Sequence, residues 1–438
     1  MQKEIVKVGI IGLGQRGMGY TDMLLYFKDV EIISVCDLYD DRVSEAVQKI
    51  KVKTDRTVKS FKNYKDLLAA GGIDAVFVFT SWETHIKIAV DAMKAGIYTG
   101  IEVGGASSVE ECWRLVYTHE ETGVHCMMLE NANYSRDAMA AYRMVKEGLF
   151  GDLIYLTGSY QHDLRDEIGL GREIRHYRHP HFMNRNAELY PTHEIGPIAK
   201  CLDINRGNRF LTLTSMSTKS QGLGEYYAKS RKAYNSWVVD GLKSYDGEYP
   251  ETKTEYDLIG KYAACGDVVT TTIKCAGGEI VNIIHDCTLP RPRYGNKRIQ
   301  GTKGIWMGDT ETIYIEGREE VFDTWESDKK YFDEFDHPLW KEKGEQVQSD
   351  DYGVFGSHGG IDILVMEAFI DAVKRQVPPP IDVYDTATWM AITCLSEESI
   401  ALGGSSVYFP DFTNGAWMNR EPLTPGKYSL DQVFWEYF

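Results

Sequence analysis

Apolar, β-branched runs alternate with amphipathic stretches through the first part of this chain. Residues 5–12, Ile-Val-Lys-Val-Gly-Ile-Ile-Gly, form a short apolar run of the kind buried on both faces of a sheet. Helical spacing follows from Met18 to Phe27, then a second strand-like run at 31–36 closed by Asp37. A polar helix to Lys51, a buried strand at 74–79, a helix from Glu83 to Ala95 stopped by Gly96, and a strand at 97–103 continue the rhythm. Strands alternating with helices predict a parallel, doubly wound sheet. Its end is placed near residue 128.

Beyond that point the period changes. A helical segment at 138–147 leads into Thr- and Tyr-rich alternating runs at 153–160, 210–216, 268–275, 279–285 and 313–315. Alternation of this type predicts a mostly antiparallel sheet. Two polar stretches, 217–258 and 317–352, read as an insertion over the site and as surface loop; helices are expected at 363–375 and 386–402. The organisation predicted is α/β: residues 1–128 as a nucleotide-binding domain, and 129–438 as a larger α+β domain for substrate and oligomerisation.

Composition narrows the function. With 438 residues the chain is long for one core. Its 48 Lys+Arg against 65 Asp+Glu give a net charge of −17, which argues against a nucleic-acid or anionic-lipid partner. No apolar stretch approaches the roughly 18 residues that span a bilayer, and no signal-peptide pattern opens the chain. The eight cysteines are scattered without zinc-type spacing. These features predict a cytoplasmic protein with reduced thiols.

Gly12-Leu13-Gly14-Gln15-Arg16-Gly17 matches G-x-G-x-x-G between a buried strand and a helix, the context in which that pattern cradles a dinucleotide pyrophosphate. Asp37 ends the next strand, where a carboxylate accepts both ribose hydroxyls and repels a 2′-phosphate, so NAD is expected. Thr80-Ser81-Trp82-Glu83-Thr84-His85 follows the third apolar strand, at the carboxyl edge that faces the crevice. It is read as lying under the nicotinamide half, with helix capping by Ser81 as the competing account. His176, His179 and His181 lack an obvious carboxylate third ligand, so no metal is predicted.

With Ile101-Glu102-Val103-Gly104, these segments resemble the Gfo/Idh/MocA family of NAD(P)-dependent, sugar-acting proteins. Its dehydrogenases usually read Glu-Lys-Pro at the third motif, and here Val103 replaces the lysine. Glu130-Asn131-Ala132-Asn133-Tyr134, His162, Tyr190-Pro191-Thr192-His193 and Tyr294 are similar to the NAD-dependent glycosidases of glycoside hydrolase family 109. The best-known activity of that family is α-N-acetylgalactosaminidase. Relatives often carry Pro, two cysteines and Gly-Leu where this chain has Gly104, Ala132-Asn133 and Glu194-Ile195, and Arg293 is an added residue before Tyr294.

The resemblance implies a redox-neutral glycosidase: transient oxidation at the sugar C3, elimination at C1, addition of water, then re-reduction. It assigns catalysis to His193, Tyr190, Glu102, Tyr294 and His162. It assigns the cofactor to Gly12, Gly14, Gln15, Arg16, Gly17, Asp37, Thr80, Trp82, His85, Glu102 and Asn131. Substrate contacts are expected from Tyr134, His162, Arg178, Tyr190, His193, Tyr294 and His358, with Arg178 on a cationic loop. Which of the histidines and tyrosines moves which proton stays open. A small carbohydrate or glycoside is the expected substrate, and the family's sheet implies a homo-dimer or homo-tetramer. The competing readings are an NAD-dependent sugar or cyclitol dehydrogenase and a non-catalytic sensor.

Overall fold

The computed structural model describes residues 3–169, 175–229, 263–348, 360–422 and 425–438. The first sheet is assembled from β1 (Val6–Ile11), α1 (Gln15–Leu24), β2 (Val30–Cys36), α2 (Asp40–Thr54), β3 (Lys59–Phe61) and α3 (Tyr64–Ala70), then β4 (Ala75–Val78), α4 (Trp82–Lys94), β5 (Tyr98–Ile101), α5 (Val109–Thr122) and β6 (Cys126–Met128). Its strand order is β3-β2-β1-β4-β5-β6, and every pairing is parallel. Val8, Ile10, Val76, Phe77 and Val78 are wholly buried, as strands covered by helices on both faces require. The order reverses between β1 and β4. Such a switch point opens a crevice at the carboxyl edge.

The chain then passes through α6 (Arg136–Lys146), β7 (Leu153–Gln161), α7 (Arg165–Gly169), α8 (Arg178–Asn184), α9 (Thr192–Cys201), β8 (Phe210–Ser217) and α10 (Gly222–Lys229). After these come β9 (Val268–Cys275), β10 (Ile280–Asp286), β11 (Arg298–Gly301), β12 (Gly304–Met307), β13 (Thr312–Ile315) and β14 (Glu326–Ser327). The final elements are α11 (Lys329–Phe335), α12 (Pro338–Gln348), α13 (Ile361–Arg375), α14 (Val383–Ala401) and β15 (Val407–Tyr408). They form a nine-stranded sheet, β14-β13-β12-β11-β7-β10-β9-β8-β15, in which β7 and β10 run parallel and the remaining pairs antiparallel. On β9, Val269, Thr271, Ile273 and Cys275 point into the core while Thr270, Thr272 and Lys274 face out, so the period-2 pattern carries the sheet's two-sidedness.

The two sheets are tied together through α13. Asp362, at its start, receives Arg16 from α1 through two hydrogen bonds of 2.9 Å, and the Asn131 amide at 2.5 Å. One expectation is corrected here: residues 317–352 are not simply surface loop. Tyr331, Phe335, Leu339 and Trp340 are buried and draw α11 and α12 onto the fold, while the intervening charges mask that spacing in the sequence. Most of the expected 217–258 insertion, and His358, lie outside the described residues.

Candidate active site

The Gly12–Gly17 turn leads from β1 into α1. A Cβ at Gly12 would stand 2.6 Å from the Phe79 main chain, and one at Gly17 would stand 2.0 Å from the Gly12 carbonyl oxygen. Those two glycines are therefore fixed by packing. A Cβ at Gly14 would meet nothing within 4 Å except the end of Arg42, which leaves main-chain space for a ligand to approach. Asp37 accepts the Leu13 N–H through Oδ2 at 2.6 Å and the Tyr39 N–H through Oδ1 at 3.0 Å. Its carboxylate is thus aimed at the turn. Open space at Gly14 and this anchored carboxylate fit a dinucleotide.

Arg16, assigned to the cofactor, is also held within the protein. Besides Asp362 it reaches Tyr20 Oη at 2.8 Å and lies 3.3 Å from Glu102 Oε1. Glu102, at the end of β5, is buried, and its Oε2 has no hydrogen-bond partner. Burial pushes its carboxyl above the ordinary range, while Arg16 holds it down. Val103, in the family lysine's place, is buried. Thr80 accepts the Thr84 hydroxyl at 2.7 Å, and its carbonyl is held by His85 Nε2 at 2.9 Å. Burial lowers His85 to about 4, so the ring is neutral.

Tyr190 and His193 flank Pro191 at the start of α9. They meet as the spacing suggests: Tyr190 Oη lies 3.2 Å from His193 Nε2. His193 Nδ1 stands 2.6 Å from Glu130 Oε1. An ionised Glu130 requires the proton on Nδ1, so Nε2 is left to accept from the tyrosine. Gly196 packs closely beside this pair: a Cβ there would sit 2.6 Å from Asn133 Nδ2 and 3.1 Å from Glu130 Cγ. Burial pushes the Tyr190 phenol upward, and Arg178 opposes it.

Arg178 lies over the Tyr190 ring, 4.6 Å from its centroid, with the Trp82 and Tyr160 rings at 5.4 and 5.8 Å. Its Nε pairs with Glu167 at 2.7 Å, and its Nη1 is buried without a partner. It opens helix α8 rather than lying on a loop, a further correction. His162, just past β7, packs edge-on to Tyr160 with centroids 4.8 Å apart. Burial, reinforced by Arg178 and Arg293, lowers it to about 4. Tyr294 bridges to Gln161, its N–H donating to that carbonyl at 2.9 Å, which sets it beside His162.

Tyr134 does not join this group. Its ring is wholly buried and its hydroxyl donates to the Tyr428 carbonyl at 2.9 Å, so the expected substrate contact becomes a structural tie to the C-terminal segment. Asn131 gives its amide to Asp362. Sequence reading missed Glu130, Asp362 and Tyr160 as members of the site. The Glu130–Tyr134 segment carried the one usable signal, a carboxylate beginning a family motif. Among the described residues no group of three or more His, Cys, Asp or Glu could hold a metal ion, and no helix is long and apolar enough to cross a membrane.

Residues 6–130 match the model described as "Oxidoreductase family, NAD-binding Rossmann fold", and residues 134–419 match "Glycosyl hydrolase 109, C-terminal domain". The chain belongs to glycosyl hydrolase family 109. An alpha-N-acetylgalactosaminidase of Tannerella forsythia is 40% identical over 441 residues, covering 95% of this chain and 88% of the relative. A glycosyl hydrolase family 109 protein of Stenotrophomonas maltophilia is 39% identical over 448 residues, covering 97% and 93%. In fold, this family 109 glycoside hydrolase resembles a levoglucosan dehydrogenase solved with NADH and levoglucosan, with TM-score 0.64, 17% identity and coverage of 93% and 100%. It also resembles the apo scyllo-inositol dehydrogenase of Lactobacillus casei, with TM-score 0.59, 12% identity and coverage of 93% and 99%. The match over residues 6–130 is to an NAD-binding fold, and the cofactor of this family 109 enzyme is NAD.

Proposed function

We propose that the chain cleaves α-N-acetylgalactosaminides with no net change in redox state. The observation that carries this reading is the Tyr190–His193–Glu130 hydrogen-bonded series, set at the start of one helix in a family 109 chain. Bound NAD supplies a hydride acceptor that is restored within each turnover. Gly12, Gly14, Gln15, Gly17, Asp37, Thr80, Trp82, His85 and Glu102 form its cradle, with Arg16 and Asn131 bracing that cradle through Asp362.

Tyr190 Oη accepts the proton from the sugar hydroxyl, or from the C–H beside the transient ketone, as it passes its own proton to His193 Nε2. Glu130 stabilises the imidazolium that results. An imidazole suits this because its unperturbed pKa is about 6.5. His162, neutral at working pH, and Tyr294 serve the leaving group or the incoming water, with Arg178 bounding the sugar. Buried Val103 in the lysine's place supports the glycosidase over the dehydrogenase.

We place the enzyme in a reducing cytoplasm, supported by eight unpaired cysteines. We also propose a homo-dimer or homo-tetramer built on the sheet's outer face, where Met216 and Tyr408 are 63% and 65% exposed. An aryl α-N-acetylgalactosaminide assayed in heavy water tests the activity. Aryl alcohol release without NADH accumulation, and deuterium at C2 of the sugar, is the expected result. NADH formed in step with product would establish the dehydrogenase instead.

A further inference from the structure

We propose that Glu167 is a positioning residue: it holds the Arg178 guanidinium over Tyr190 so that one nitrogen is left for an oxygen of the bound sugar. The inference rests on the reading of Arg178 as a wall of the sugar site. Four ring faces surround this cation, with the Tyr190, Trp82, Tyr177 and Tyr160 centroids at 4.6, 5.4, 5.7 and 5.8 Å. Ring faces attract a cation but give its fork no direction. A carboxylate does, because it takes a defined N–H of the guanidinium.

Among the described residues, Glu167 on α7 is the carboxylate that pairs with Arg178. Its Oε1 stands 2.7 Å from Nε, the guanidinium nitrogen nearest the main chain. That contact leaves the far end of the fork to other acceptors, and Nη1 there is buried with no hydrogen-bond partner. A buried N–H without an acceptor costs free energy until a ligand supplies one. A sugar hydroxyl or an acetamido carbonyl is an acceptor of that kind.

Glu167 is itself held from behind. The Arg178 N–H donates to His176 Nδ1 at 3.3 Å, so the neutral ring carries its proton on Nε2. That Nε2 lies 3.2 Å from the same Glu167 Oε1. Burial lowers His176 to about 4, which keeps the ring neutral. Burial also pushes the Glu167 carboxyl up, but Arg178 and His176 override it and hold the group below the usual range. The main chain is fixed as well: Ile168 is wholly buried, and His179 Nδ1 on α8 meets its carbonyl at 3.1 Å. A short helix and the turn before the next one thus form a socket for a single side chain.

The test is a double-mutant cycle on the aryl α-N-acetylgalactosaminide, with Glu167→Ala and Arg178→Ala made singly and together. Glu167→Ala should raise KM by about 10-fold or more, the worth of one hydrogen bond to a charged group, with kcat carrying the smaller share. Glu167→Gln keeps an oxygen beside Nε and should recover most of that loss. In the Arg178→Ala background, Glu167→Ala should change KM by less than about twofold. An unmoved KM in Glu167→Ala overturns the proposal. So does an equal rise without Arg178, which would make Glu167 a support for the fold or a sugar contact of its own. Where Glu167→Ala does not fold, His176→Ala takes its place: a rise in KM that needs Arg178 is expected, and no rise overturns the proposal. If no glycoside is turned over, the activity reading fails, and crystal structures of NAD-loaded wild type and variant decide the positioning. The guanidinium should leave the Tyr190 ring in the variant; an unmoved Arg178 overturns the proposal.

Discussion

Glu130 and His193, sixty-three residues apart in sequence, meet at 2.6 Å through Oε1 and Nδ1. That contact fixes the imidazole tautomer and directs Nε2 at Tyr190. Neutralising the carboxylate while keeping its shape removes both effects. Glu130→Gln should lower kcat by about 100- to 10,000-fold, the range expected when a base is held in the wrong tautomer. Bound NAD should be retained, since the Glu130 side chain makes its hydrogen bonds to His193 and to the Ala132 N–H. Single-turnover kinetics together with the dinucleotide content of the purified variant check this. An unchanged kcat would remove Glu130 from the proton series.

The Arg16–Asp362 pair joins the glycine-rich helix to α13, and Asp362 also takes Tyr20 and Asn131. Asp362→Ala leaves the Arg16 charge opposed by Glu102 alone, at 3.3 Å. Loss of one partner from a buried pair should cost about 3 kcal/mol. Urea unfolding measures that loss, and a matching fall in NAD affinity is expected because α1 forms one wall of the site. Loss of stability with unchanged NAD binding would show that α13 supports the fold without shaping the cofactor site.

The parallel sheet was legible because each of its longer strands is a continuous apolar run of β-branched residues. β3 escaped notice: Lys59-Ser60-Phe61 is a short edge strand with two exposed residues. β11 and β12 were hidden for a related reason, since four-residue strands joined through Gly301 and Gly304 show little alternation. Tyr190 and His193 could be paired by spacing within one helical turn. Asp362 could not, because its partners Arg16 and Asn131 lie hundreds of residues away and only the packing of α13 brings them near.

Burial raises the Glu188 and Glu194 carboxyls above their unfolded values, and for Glu194 the Glu188 charge adds to it. Between the ordinary carboxylate range and the raised folded value, the native state binds more protons than the unfolded chain. Stability therefore falls as pH rises through that window and levels off above it. One extra bound proton gives a slope of up to about 1.4 kcal/mol per pH unit. Chemical unfolding from pH 5 to 8 should show this decline, and Glu194→Gln should flatten it. Parallel slopes in the two proteins would mean that the pair carries no extra proton.

The position of Asp37 predicts that it decides between the two nicotinamide dinucleotides. Its Oδ2 is anchored by the Leu13 N–H at 2.6 Å, and Arg42 Nη1 waits 3.9 Å away. The carboxylate repels a 2′-phosphate and partly neutralises that arginine. Asp37→Ala removes the repulsion and frees Arg42 to meet the added phosphate. Losing hydrogen bonds from a charged acceptor, at about 1.5–3 kcal/mol, should weaken NAD binding by roughly 10- to 100-fold. NADP should bind more tightly than it does to the wild type, so the preference narrows from both sides. Calorimetric titration with each dinucleotide reads the two effects separately. If NADP affinity stayed unchanged while NAD affinity fell, Asp37 would serve NAD without excluding the phosphate.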